Sequence, residues 1–556
     1  MSRRRWPSTW IALATYSLLA VAVFSGAWID PAGRWIGSPK DPQLFIWYLG
    51  WIPHQLAQGL NPLFTDHLSY PPGVNLTWNT SMIFPAVLLW PVTAIFGPLV
   101  AYNVLVTGGI ALSSWCGFLA ARRFLDRDLL CLVAGLVYGF SPALMAQAQG
   151  HPHVLVALFP PIALILGHEI LVRRRMNPAL AGALAGVAAA LQLLTGEELL
   201  AVTLVIVALG AALLVLLHRD QLRAGMPYAV KAAGVALAVF AVLAAYPLGF
   251  QFLGPQRVFG GVQGPDVYVS DLLAFFLPSN LIHFTGNSTE NDAYVGLPLL
   301  ALFAAGLALG WRAPAIRWVG LTALIVAVLS LGPHLHVDGF TTPLLLPWAA
   351  VARLPLMSSA LPGRLMAIGF LGIGIVVAYT CARAFTAARP WRIATGLALL
   401  AGLVAIAPPL PYESQPASAP AFFRPGGDVE KIPSGAVVLV TPFSSKESTD
   451  AMYWQAVAGY RFRMPEGDAF TPGPYLGPHP SFLQSALDHL DAGDAVPVTP
   501  DVRAMALADL KSSGVSTIVA GPSPGQDAIV EFLTQVVGQA PVDDAGVKVW
   551  WEVSAG

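Results

Sequence analysis

Apolar runs close to the 20 residues that cross a bilayer recur from the N-terminus to about residue 406 and then stop. Polar stretches separate them, and these alternate in character. One set is basic: Arg3–Arg5, Arg122 with Arg123 and Arg127, Arg173–Arg175, Arg219 with Arg223, Arg312 with Arg317, and Arg383 with Arg389 and Arg392. The other set carries acids, histidines and amides: 30–81, 147–153, 196–198, 251–292 and 334–338. Basic loops stay in the cytoplasm, so the alternation both counts the spans and orients them. The pattern predicts an α-helical polytopic membrane protein with about eleven transmembrane helices and a cytoplasmic N-terminus. The first helix is expected over about Trp10–Ala27. A leader peptide shares its basic start, but this run is long enough to span and lacks a small-residue cleavage pattern, so an uncleaved helix is expected. Met82–Ile95 and Pro343–Pro362 are broken by prolines and are expected to be partly embedded segments.

The pattern changes after Pro408. Pro408, Pro409, Pro411, Pro416 and Pro420 make residues 409–427 a stiff linker. Residues 428–556 then alternate short buried strands (Gly435–Thr441, Val515–Ala520, Val547–Val553) with helices (Ser448–Ala458, Asp501–Ser513, Asp527–Gly538), the signature of a small α/β domain. The expected organisation is a transmembrane domain over 1–408 with an external loop at 30–81, the linker, and an extracytoplasmic α/β domain over 428–556. The protein is expected in the cytoplasmic membrane with that domain outside.

Composition agrees. The chain has 556 residues, 56% of them hydrophobic and 11% charged, where soluble domains carry about a quarter charged. The net charge of -1 is segregated along the chain, and nothing points to nucleic acid. Cys116, Cys131 and Cys381 lie in apolar runs and read as small core residues. The sequence has no Walker loop, dinucleotide fingerprint, nucleophile elbow or cysteine metal motif.

Candidate chemistry concentrates in the Asp30–Ser81 loop. Asp41 precedes Pro42 and an aromatic run of Phe45, Trp47, Tyr48 and Trp51. His54, Gly59-Leu-Asn-Pro62, Asp66, His67 and Tyr70-Pro-Pro-Gly-Val-Asn75 follow. Interfacial aromatics with acids, histidines and rigid turns suit a site at the membrane surface; the plain alternative is a surface helix whose first turn Asp41 caps. His151 and His153 flank Pro152 at a membrane exit, where imidazoles can donate to phosphate or bind a divalent cation. Glu197 and Glu198 end a span on the same side and point about 100° apart, so one of them faces inward. Glu290 and Asp292 precede a helix and suit its dipole. Arg353 and Arg364 are cations in the outer half of the membrane domain, fitted either to a bidentate phosphate or to lipid headgroups.

These features together resemble the GT-C superfamily of membrane glycosyltransferases that use polyprenyl-phosphate sugars. In that superfamily a catalytic acid follows the first helix, and Asp41 in Lys40-Asp-Pro-Gln43 matches it. Gly59-Leu-Asn-Pro62, Tyr70-Pro-Pro-Gly-Val-Asn75, Ala121-Arg-Arg-Phe-Leu125, Tyr138-Gly-Phe-Ser-Pro142, Met452-Tyr-Trp-Gln455 and Gly459-Tyr460 resemble an uncharacterised actinobacterial-type branch. The likeness covers the whole length in architecture, through short motifs. One departure is that several relatives carry a second acid where this chain has His151-Pro-His153.

The resemblance implies a GT-C-like fold and transfer of a sugar from a polyprenyl-phosphate donor, in the membrane lipid, to a glycan, glycolipid or protein acceptor of the cell envelope. Asp41 is the expected general base. Asp66, His67, Glu197, Glu290 and Asp292 are candidates for a second acid or supporting role. Arg353, Arg364, His151 and His153 are the expected donor-phosphate ligands, and a divalent cation is the one cofactor considered. Two other readings fit a polytopic chain: a transporter or flippase of lipid-linked intermediates, and a non-catalytic membrane scaffold. Ionisable groups crowded on one face favour the enzyme over the transporter, whose polar groups belong near the midplane.

Overall fold

The computed structural model describes residues 6–258, 264–284, 293–444, 448–470 and 481–553. In chain order the helices are α1 (Trp6–Val23), α2 (Asp41–Ala57), α3 (Pro98–Ala121), α4 (Asp128–Gly139), α5 (Phe159–His168), α6 (Pro178–Leu193), α7 (Glu197–Leu253), α8 (Leu297–Leu309) and α9 (Pro314–Ser330). A hairpin of β1 (His334–Val337) and β2 (Phe340–Leu345) follows, then α10 (Met366–Ala384) and α11 (Arg389–Ala405). The remainder is β3 (Val438–Thr441), α12 (Asp450–Val457), α13 (Phe482–Asp491), α14 (Pro500–Ser512), β4 (Thr517–Ala520), α15 (Gln526–Val537), β5 (Val542–Asp544) and β6 (Val547–Trp550). Proline opens several helices, as at Pro98, Pro178, Pro314 and Pro500, where its missing N–H costs nothing. Asn177 and Thr499 cap two of these through their side chains.

The chain divides into two compact units that are not contiguous in sequence. Unit 1 is Met1–Ile29, Asn103–Ala245 and Gln263–Ser414; unit 2 is Asp30–Tyr102, Tyr246–Val262 and Gln415–Gly556. The loop and the C-terminal region, taken as separate in chain order, therefore fall in one unit.

Unit 1 is helical and apolar. Five helical stretches in the described residues are long and apolar enough to cross a membrane: Pro98–Ala121, Pro152–Arg173, Glu197–Leu217, Arg223–Leu253 and Pro362–Ala384. Five shorter apolar helices accompany them, so length and composition establish five of the expected eleven or so spans. The shortfall has a local cause: Asp128–Gly139 and Leu297–Leu309 are 12 and 13 residues long, well under the roughly 30 Å of hydrocarbon at 1.5 Å per residue.

The centre of unit 1 is α10, which is buried on nearly every side. Small residues let its neighbours approach. A Cβ at Gly374 would lie 2.7 Å from the Ala134 carbonyl of α4, and one at Gly135 would lie 2.3 Å from the Tyr16 hydroxyl. That hydroxyl donates to the Leu132 carbonyl at 2.8 Å. Packing of this kind holds helices together where the hydrophobic effect cannot, inside lipid.

Helix α7 runs for 57 residues, yet it does not run straight. It starts beside the end of α6, where Gln192 donates to the Gly196 carbonyl. Farther on, Ala232 lies against Gly182 and Ala236 against Gly186, so its later turns follow α6 in the same direction. The helix turns back between its two apolar arms, Glu197–Leu217 and Arg223–Leu253, where the sequence placed a basic loop.

In unit 2 the C-terminal strands form one sheet in the order β3-β4-β6-β5. Strand β3 pairs parallel to β4, with Val438 opposite Thr517; β6 pairs antiparallel to both β4 and β5. Leu439, Ile518 and Trp550 from the strands meet Leu487, Leu510, Ile529 and Phe532 from the helices in one core. The six expected elements start and end within three residues of the observed β3, α12, α14, β4, α15 and β6, while α13 and β5 were not expected.

Candidate active site

Asp41 is the first residue of α2, with Pro42 directly behind it and Lys40 in the capping position making no side-chain cap. The carboxylate therefore belongs to the first turn of the helix. It sits at the positive end of the helix dipole, an interaction worth about 0.3–1 kcal/mol.

What fixes this helix start is a buried polar network. The Thr449 hydroxyl donates to Gln43 Oε1 at 2.6 Å, and Gln43 Nε2 donates to Asp450 Oδ1 at 2.6 Å. One turn later, Trp47 Nε1 donates to Gln455 Oε1 at 2.7 Å, while Gln455 Nε2 donates to the His67 and Phe462 carbonyls, each at 2.9 Å. Gln455 is 0% exposed. Tyr460 completes the clasp by donating to the Trp47 carbonyl at 2.8 Å. The rings of Trp47 and Trp51 stack at 5.0 Å, with Tyr460 edge-on to both. The motifs Met452–Gln455 and Gly459-Tyr460 thus grip the Asp41 helix. A residue at Gly50 would collide with the Tyr460 hydroxyl, 2.1 Å from its Cβ.

Asp66 and His67 are occupied within unit 2. Asp66 Oδ2 pairs with Arg463 Nη2 at 2.9 Å, and Asp66 Oδ1 lies 3.0 Å from His67 Nδ1. Arg463 in turn lies over the Tyr70 ring. Burial lowers the His67 pKa below its ordinary value, against the pull of Asp66 and with the help of the Arg463 charge. His54 is lowered too, by burial and by His67. Glu466, unremarked in the sequence, is fully buried, and burial raises its pKa well above the usual carboxylate range. Its Oε1 accepts from the Val440 N–H at 3.1 Å.

Unit 1 carries a second cluster. Glu198, in the first turn of α7, accepts from the Leu361 N–H through Oε1 at 2.8 Å and from Arg364 Nη1 through Oε2 at 2.5 Å. Their side chains are 19% and 10% exposed. Of the adjacent glutamates it is therefore Glu198 that takes the arginine, although Glu197 was the expected site residue. His153 is buried, with Arg364 and His151 acting on it electrostatically, and the rings of His151 and His153 lie 5.8 Å apart. The cluster brings together His151, His153, Glu198 and Arg364, while Arg353 is exposed beside exposed Leu354 and Leu356. Glu290 and Asp292 lie outside the described residues.

A third group escaped the candidate set. His334 Nδ1 lies 3.0 Å from Asp266 Oδ2, and His336 Nε2 lies 3.4 Å from Asp266 Oδ1. The signal was present in the pair His334-Leu-His336, although the hairpin register is irregular between the two histidines. The aspartate was not legible, being 68 residues away. Among the described residues, no group of three or more histidine, cysteine or acidic side chains is arranged to hold a metal ion. His151 and His153 alone are short of a full ligand set.

No family model matches the sequence, and no curated protein matches it. Solved structures match in fold. The cryo-EM structure of arabinofuranosyltransferase AftD from Mycobacteria is 15% identical with a TM-score of 0.60, covering 100% of this chain and 40% of AftD. The chain thus spans two fifths of that protein's length. The Archaeoglobus fulgidus oligosaccharyltransferase is 12% identical over 93% of this chain and 70% of its own, at a TM-score of 0.49. ArnT from Cupriavidus metallidurans is 13% identical over 96% and 97%, at 0.47. These structural neighbours are GT-C glycosyltransferases, and the likeness to AftD shows that this chain has their fold.

Proposed function

We propose that this protein transfers a sugar from a polyprenyl-phosphate donor to a cell-envelope acceptor at the external face of the cytoplasmic membrane. The observation that carries the reading is the Glu198–Arg364 pair with His151 and His153, set at the ends of apolar helices in a chain with the AftD fold. A charge pair in such helices is costly and defaults to function.

The chemistry assigns each group a task. The acceptor hydroxyl attacks the anomeric carbon as the bond from that carbon to the phosphate oxygen breaks. Asp41 takes the hydroxyl proton, because a neutral hydroxyl is a weak nucleophile. The electron pair leaves on the phosphate, whose charge Arg364 stabilises with the neighbouring imidazoles. Glu198 orients the guanidinium. The one-sided basic loops support a cytoplasmic N-terminus and an external C-terminal region.

The test is a deletion strain. Lipid-linked sugars extracted from it should accumulate a polyprenyl-phosphate sugar, restored to normal by the wild-type chain. An unchanged lipid-linked pool, with an unchanged envelope glycan, would contradict the proposal.

A further inference from the structure

We infer that the β1–β2 hairpin of unit 1 and the loop after it dock on a lipid surface, seated among the headgroups and the first carbons of the acyl chains beside α9. The two strands are unlike. Strand β1 turns inward, with His336 buried, whereas β2 is exposed at five of its six positions. Side chains alternate across a strand, so exposure of neighbours such as Leu344 and Leu345 leaves both faces of β2 open. Phe340 is 77% exposed, and the loop beyond the strand adds Leu354 and Leu356, the latter 65% exposed. Arg353 is the one charged residue from Phe340 to Leu356, a composition far from the quarter charged of soluble domains.

The hairpin is held in place. Asp338 at its turn accepts from the His283 N–H at 2.9 Å, and the Gly339 N–H donates to Asp271 Oδ2 at 3.0 Å. The Leu346 N–H donates to the Pro333 carbonyl at 2.8 Å and closes the open end. A lone two-stranded hairpin is marginal in water; these bonds fix this one with its apolar side chains turned outward.

What covers those side chains follows from the path of the chain. Strand β1 begins four residues after Ser330 ends α9, and Leu356 lies six residues before Pro362, where a stretch apolar enough to cross a membrane begins. At no more than about 3.6 Å per residue, neither strays far from the membrane surface. The last two turns of α9 expose Leu324 and Val328, so the apolar surface runs from a membrane helix onto the hairpin. The backbone limits the depth. Among the described residues β2 pairs with β1 alone, so its outer edge presents N–H and C=O groups that hydrocarbon cannot satisfy and a headgroup layer can. Arg353 suits the same level, its stem along the acyl chains and its guanidinium among headgroups. The seat is thus shallower than the partial embedding expected for 343–362. At its far end the loop is bonded to the proposed donor site, where the Leu361 N–H donates to Glu198 Oε1.

The full chain has three cysteines of its own, all buried. Phe340→Cys and Leu356→Cys would each be labelled with a nitrobenzoxadiazole dye and reconstituted into phosphatidylcholine vesicles carrying a nitroxide either near the head of the acyl chain or near its end. Both dyes should be quenched more by the shallow nitroxide than by the deep one. Both should lose most of the iodide quenching shown by the same dye on free glutathione. Iodide quenching equal to that of the glutathione dye at either position would overturn the inference, because the surface would then face water. Protection from iodide without nitroxide quenching would overturn it too, and would assign the patch to a second copy or a protein partner. Stronger quenching by the deep nitroxide would contradict the interfacial seat. The readout needs no sugar transfer, so failure of the proposed activity in the deletion test leaves it standing.

Discussion

The two units handle polar groups in opposite ways. In unit 2 the amides, hydroxyls and carboxylates around α2 are spent on one another: Gln43 on Thr449 and Asp450, Gln455 on Trp47, His67 and Phe462, and Asp66 on Arg463. The result is a rigid mount with Asp41 at its tip. In unit 1 the charged pair of Glu198 and Arg364 stands on apolar helices with two histidines beside it. Unit 2 uses polarity to hold a shape. Unit 1 pairs Glu198 with Arg364 at the ends of apolar helices. The lesson is that what a buried polar pair costs, and so its claim on function, depends on how apolar its surroundings are.

Breaking the mount should have the largest effect on stability. Gln455→Leu leaves the Trp47 indole N–H and the carbonyls of His67 and Phe462 without this partner, at about 1–3 kcal/mol for each buried group unpaired. Thermal melting of the purified chain should show a marked fall. A melting temperature equal to wild type would mean the network does not hold α2.

In unit 1, Glu198→Gln keeps the acceptor for the Leu361 N–H but removes the charge opposite Arg364. The expected loss is about 1.5–3 kcal/mol, the value of a hydrogen bond to a charged group. Melting curves check it, and a neutral substitution there would make the pair incidental.

Glu466 sharpens the contrast through pH. Its folded-state pKa is raised by burial, so the folded chain holds a proton that the unfolded chain releases. Stability from this group is therefore full below the ordinary glutamate pKa and declines as pH rises toward the folded value. Glu466→Gln should remove that decline and melt higher than wild type at pH 7. Identical pH profiles for the two proteins would contradict the buried, protonated state.

His67 gives a smaller effect of opposite sense. Its lowered pKa means that the unfolded chain binds a proton first, so stability falls as pH drops below the ordinary histidine value of about 6.5. Melting of wild type and His67→Gln between pH 7.5 and 5.5 should converge toward the acid end.

The smallest effect is expected at Arg353. This residue is exposed among exposed leucines, so Arg353→Ala should leave donor affinity unchanged, measured by titration with a labelled polyprenyl phosphate. A loss equal to that of Arg364→Ala would return it to the donor site.

The sequence made the helices and strands of 428–556 legible because local signals agree there. The hydrophobic period is clear, and Thr499 caps the following helix through its side chain, whereas the helix Phe482–Asp491 and the strand Val542–Asp544 were missed. The split of Met82–Ile95 into Ile83–Leu88 and Trp90–Phe96 was legible from Pro85 and Pro91. Pairings across long separations were not. Glu198 and Arg364 are 166 residues apart, and Trp47 and Gln455 are 408 apart. No period or motif links them, so the choice of Glu197 over Glu198 was one of two equivalent faces. The reversal within α7 was legible because Arg219 and Arg223 interrupt the apolar run between Glu197–Leu217 and Arg223–Leu253.

The central proposal is a division of labour, with Asp41 as the proton acceptor and Arg364 as the donor-phosphate ligand. Steady-state transfer kinetics with varied donor, comparing Asp41→Asn and Arg364→Lys with wild type, test it most directly. Asp41→Asn removes the proton acceptor at nearly constant size, so kcat should fall by about 10²–10⁴-fold with little change in donor KM. Arg364→Lys keeps the charge but loses the planar fork, so donor KM should rise while kcat is largely retained. Near-normal kcat in Asp41→Asn, or an unchanged donor KM in Arg364→Lys, would contradict the account.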